Sequence, residues 1–142
     1  MSVTMSMSQA RAAVMAVVNQ IIADHADYPL VVETTNRALV DTTTQADPFL
    51  QVSVTHLGGE QAELGQNPNI RYDGQIYISA VVKDGAGVAD AEALLDFVLP
   101  YFSTQSLGAL QLQAAVPIKG ISRLGLWYQP AIVPFYYFSP AR

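Results

Sequence analysis

Residues 47–56 read Asp-Pro-Phe-Leu-Gln-Val-Ser-Val-Thr-His. Leu50, Val52 and Val54 alternate with Gln51, Ser53 and Thr55. Alternation with a period of two marks a strand with one buried face and one wet face. The stretch predicts a strand over 49–56, opened by Asp47-Pro48, in a sheet that must be covered on one side.

Downstream lies Gly-Gly-Glu-Gln-Ala-Glu-Leu-Gly-Gln-Asn-Pro-Asn over 58–69. It predicts a loop, long for a hairpin connection, and loops of that length are often functional. A second strand is predicted over 70–82, with Ile70, Tyr72, Ile76, Ile78, Ala80 and Val82 on one face. Gly74 interrupts it and signals a bulge or a close backbone approach.

Upstream, Ser6-x-x-Gln9 has the form of a capping box, and Val14, Val17, Val18, Ile21 and Ile22 follow at helical spacing. They predict a helix over 8–26, ended by Tyr28-Pro29. Leu30-Val31-Val32 reads as a short strand, and Thr42-Thr43-Thr44 as a loop or edge strand. A second helix is expected over 88–99, with Val88, Ala91, Leu94, Leu95 and Val98 facing the core. Asp90 and Glu92 in its first turn complement the helix dipole. A strand over 109–116 would bury Leu110, Leu112, Ala114 and Val116. The segment 122–138 reads as two strands or one broken strand, with breaks near Gly125 and Pro130. The element order predicts an α+β fold. Its sheet would be mixed, mainly antiparallel and four- to five-stranded, with two helices on one face. No repeat or long linker divides the chain, so residues 1–142 form one expected domain.

Composition narrows the function. Charged residues make up 13% of the 142 residues, and the net charge is −5. That is about half the usual ~25% charged fraction. Polar character comes from neutral Gln, Ser and Thr instead. The seven Lys and Arg are scattered among twelve Asp and Glu, which argues against an electrostatic grip on nucleic acid. The chain has no cysteine, so disulfides, zinc–thiolate sites and thiol catalysis are excluded. No apolar stretch reaches membrane-spanning length, and no signal peptide is evident, so a cytosolic origin is expected.

Catalytic motifs are sparse. Gly85-x-Gly87 precedes a helix, but Asp90 stands where a dinucleotide fingerprint needs Gly or Ala, so the stretch reads as a tight turn. Asp24, His25 and Asp27 cluster at a helix end, where neighbouring side chains diverge. His25 there is also favourable without any metal. His56 has no Gly-x-Ser-x-Gly elbow to serve. Glu60 and Glu63 sit in a Gly-rich loop that reads as solvated, not as an acid/base pair. No cofactor or metal is expected. A small ligand-binding or enzymatic α+β domain stays open as an alternative function.

The aromatic residues point elsewhere. Trp127, Tyr128, Phe135, Tyr136, Tyr137 and Phe138 crowd the end of the chain. Along a strand, Phe135 to Phe138 would place two aromatics on each side. A bare edge of this kind would aggregate, so something covers it. Two readings stand: a central strand between layers, or a subunit interface.

Residues 47–102 resemble the tail terminator proteins of long-tailed bacteriophages, the lambda-type group and its distant relatives. The resemblance rests on the alternating strand, the Gly-containing loop, Arg71-Tyr72-Asp73-Gly74, the Gly85-Ala86-Gly87 turn, and the helix with Leu94, Leu95 and Phe97. The N-terminal amphipathic helix and Gly125-Leu126-Trp127-Tyr128 fit the same outline. The resemblance implies a virion protein that forms a homo-oligomeric, hexameric ring. The ring would cap the tail tube protein, stop its polymerisation and meet the head–tail connector or stopper protein. It would assemble in the host cytoplasm and let DNA pass, and it would catalyse nothing. Gly58, Gly59, Glu60, Gln61, Glu63, Leu64 and Arg71 are then the expected tube- or neck-contacting residues. The aromatic group 127–138 is the expected subunit interface. Another neck, tail-completion or tail tube protein is the alternative within the same machine.

Overall fold

The computed structural model describes residues 4–24, 31–33, 49–61, 69–83, 85, 87–123 and 125–140. Helix α1 spans Met7–Asp24. Its capping box is formed, with the Ser6 N–H donating to Gln9 Oε1 at 2.8 Å and the Gln9 N–H donating to Ser6 Oγ at 3.2 Å. Ala10, Val14, Val18 and Ile21 are buried along one stripe. Ile22, expected inside, is exposed on the flank of that stripe. The expected last turn of this helix, at 25–26, and the metal candidates His25 and Asp27 lie outside the described residues.

Strand β1 is Val31–Glu33, β2 is Phe49–Gln61 and β3 is Asn69–Lys83. Helix α2 is Ala89–Val98, continued by a tighter turn over Leu99–Tyr101. Strands β4 to β7 are short: Ser106–Leu107, Leu110–Leu112, Val116–Pro117 and Ile121–Arg123. Strand β8 runs over Leu126–Pro140. The sheet order is β1-β2-β3-β8-β5-β4, with β6 and β7 also lying against β8. Only β1 runs parallel to its neighbour among the described pairings. The α+β class holds, but the described sheet has eight strands where four to five were expected.

The extra strands have a physical origin. The expected strand over 109–116 ends at Leu112, and Ala114 and Val116 are exposed. The expected break at Pro130 is absent, and β8 pairs with β3 in unbroken register from Leu126 to Pro140. The Pro130 and Pro134 carbonyls accept from the Ile118 and Gln113 N–H groups, at 3.0 and 2.8 Å. In an antiparallel strand a residue's N–H and C=O point to the same side. The two missing donors therefore face the 113–120 side, not β3. The prolines leave β8 whole and fragment its other neighbour into β5, β6 and β7.

Both helices cover one face of the sheet. The core joins the α1 stripe and Ala91, Leu94, Leu95, Val98 and Phe102 to Leu50, Val52, Val54, Ile76, Ile78, Ala80, Val82, Val133, Phe135 and Tyr137. Val88, expected in that core, is instead the exposed residue before α2. Gly74 marks a close approach. A Cβ there would lie 2.5 Å from both Phe135 Cζ and the Thr55 carbonyl oxygen. Gly85 and Gly87 both have positive φ, at 88° and 86°, and shape the turn into α2.

Candidate interaction surface

The β2–β3 hairpin carries the predicted contact residues, and its local geometry differs from the expected loop. The ladder does not end at His56. Leu57 is an extra residue between the pairs His56–Gly74 and Gly58–Asp73, a β-bulge. Beyond it Gly59 pairs with Tyr72, Glu60 with Arg71 and Gln61 with Ile70. Gly58, Gly59, Glu60 and Gln61 thus belong to a strand, correcting the loop expected over 58–69. Pairing continues past the bulge, and Gly59 leaves room for the Tyr72 ring, which would lie 2.7 Å from a Cβ. Glu63 and Leu64 lie outside the described residues, so the paired-glutamate reading is left without a described partner.

The bulge swaps faces, so Glu60 and Arg71 project from the side that carries no helix. Arg71 donates from Nε and Nη2 to Asp73 Oδ1, at 3.2 and 3.1 Å. Its guanidinium lies 4.2 Å from the centroid of the Tyr136 ring, a cation–π contact. Tyr136 meets Phe138 edge to face at 6.1 Å. One charge pair and two aromatics thus form a continuous strip across β3 and β8. Beside it, Leu57, Gly58, Gly59, Glu60 and Asp73 line a shallow groove of about 260 Å³.

The aromatic group divides by face. Phe135 and Tyr137 are 2% and 0% exposed and belong to their subunit's own core. They are removed from the expected interface, because their position on β8 points them under the helices. Tyr136 and Phe138 stay half-buried on the helix-free face. Trp127 is half-buried on the helix side, with Nε1 donating to Gln129 Oε1 at 3.1 Å. Tyr128 packs on Val81 and Leu126, a small second cluster on the helix-free face. Alternate residues of the aromatic strand thus fill the core under the helices and line the helix-free face.

His56 sits at the root of the hairpin. Its ring meets Phe135 and Tyr137 edge to face, at 5.6 and 5.7 Å. Burial lowers its pKa, and the nearby Arg11 charge lowers it further. Burial raises the Tyr137 pKa, with a smaller contribution from Tyr72. This is a packed polar contact at the edge of the core, and among the described residues the imidazole meets the Tyr137 hydroxyl and no carboxylate. Among the described residues no group of three acidic or histidine side chains gathers to hold a metal ion. No described helix is long and apolar enough to cross a membrane. Sequence reading missed the Leu57 bulge and the Arg71–Tyr136 contact. The Gly58-Gly59 pair was the signal for the first, and it was read as a loop.

No family model matches the sequence, and no curated protein matches it. Solved structures do match the fold. One, a protein whose name states no function, is 15% identical to this chain, with a TM-score of 0.66. The match covers 95% of this chain and 96% of the other. Likeness at that identity bears on the architecture alone.

Proposed function

We propose that the chain is a tail terminator subunit of a long-tailed bacteriophage. In this role a hexameric ring caps the tail tube, stops its polymerisation and joins it to the head connector. The helix-free face of the sheet is the observation that supports this reading most. It carries Tyr128, Ile132, Tyr136 and Phe138, half-buried, among Gln51, Ser53, Thr55 and Gln75. Its central charges, Arg71 and Asp73, neutralise each other. Such a face packs against protein neighbours without stranding a charge, and it does not grip phosphate. The paired hairpin adds reach. Strand β3 has 15 residues, roughly 50 Å at ~3.3 Å each. Glu60, Arg71 and the Leu57 groove are the surface offered to the tube or neck. The role is mechanical and requires no reaction, and its place is the tail–neck junction of the virion.

The test is the morphology of tails from a phage lacking this gene. Overlong tails without heads are expected. Tails of normal length joined to heads would overturn the reading. Long stacks of the purified protein, instead of closed rings, would favour a tail tube protein.

A further inference from the structure

The charges of this chain are segregated along it and across the sheet. All twelve acidic residues lie at or before Asp96. Beyond Asp96 the chain carries Lys119, Arg123 and Arg142 and no acidic side chain. Everything on the far side of β3 in the sheet order, β8 with β4 to β7, comes from that acid-free part. At its rim, β6 and β7 and the residues between them pair inward to β8 and are exposed outward. Val116, Ile118 and Ile121 are 49%, 37% and 52% exposed there. Lys119 and Arg123 stand among them, exposed and in no ion pair among the described residues.

The complement lies on the same molecule. Helix α2 presents Asp90, Glu92 and Asp96 to solvent, with exposed Val88 before its first turn and no basic residue in its last. None of these acids takes part in an ion pair among the described residues. An apolar rim with two cations therefore matches an acidic helix with an apolar neighbour.

We propose that the 116–123 rim of one copy docks on the outer face of α2 of a second copy. The two surfaces are different, so the contact is heterologous and propagates head to tail, as a ring requires. It rests on the ring reading for its closure. The pairing of the two surfaces stands on charge and exposure alone.

The cysteine-free chain makes the test clean. Ile121→Cys and Ala93→Cys each place a single thiol on an exposed position of the otherwise whole protein. The two variants are mixed and treated with a short bis-maleimide. Mixed dimers should exceed either homodimer by about tenfold, a preference of ~1.4 kcal/mol. Raised salt should reduce the yield. Lys119→Glu with Arg123→Glu on the Ile121→Cys partner should abolish the excess. Asp90→Lys with Glu92→Lys on the Ala93→Cys partner should restore it. Homodimers alone, no cross-link at high concentration, or charge reversal without rescue would overturn the proposal. Tail morphology reads the function separately. Abnormal tails without mixed dimers would discard this contact and keep the terminator reading. Mixed dimers with normal tails would do the reverse.

Discussion

His56 Nε2 lies 2.8 Å from the Tyr137 hydroxyl, across 81 positions of sequence. This bond fastens the hairpin root to the strand that runs through the core, with the fully buried Tyr137 on one side and the Arg11 charge nearby. Burial and Arg11 lower the His56 pKa, so the unfolded chain takes up its proton first as pH falls. The unfolded state then binds more protons just below 6.5, and stability drops through that window down to the lowered folded value. Above it, the neutral ring keeps its full contribution. His56→Gln should flatten the dependence of Tm on pH in this window relative to wild type. An unchanged slope would show that another group carries the acid sensitivity.

Gly74→Ala should be costly although the change is one methyl. The new Cβ meets a ring edge and a backbone oxygen, and only the ring can be removed. A loss of about 2–3 kcal/mol is expected from overpacking. Adding Phe135→Leu should return part of it, because the Thr55 oxygen stays in place. Urea midpoints of the two variants, at constant m-value, measure the difference.

Phe135 and Phe138 give a paired test of the division of β8 by face. Phe135→Ala should lose roughly 3–5 kcal/mol by opening a core cavity. Phe138→Ala, half-exposed on the other side, should lose well under that and still give a folded protein. Equal losses would mean that the helix-free face is covered within the monomer.

Ser6→Ala should cost about 1 kcal/mol, since one N–H at the start of α1 loses its partner. Ser6→Asp should retain most of the stability. Thermal unfolding of both variants checks the pair.

The legible parts of the fold were those encoded over a few residues. The capping box needs only Ser6 and Gln9, and the 49–56 strand only its own alternation. Illegible parts depended on what lies beside them. Pro130 reads as a break until the side faced by its missing donor is known, and that side is set by pairing with β3. Val116 reads as buried until Ala114 turns outward with it. The candidate surface was legible as residue types at Arg71 and Tyr136. Their meeting was not, because it depends on two separate strands in a register fixed by the whole sheet.

The single inserted residue at Leu57 makes the hairpin a reader with two phases. Before it, even-numbered positions of β2 face the helices, and after it odd-numbered ones do. A saturation scan should therefore show polar tolerance changing parity within one strand. Deleting Leu57 should remove the change of phase and little else. Gly58 would then follow His56 directly, the pairs Gly58–Asp73, Glu60–Arg71 and Gln61–Ile70 would keep their register, and each side chain would keep its face.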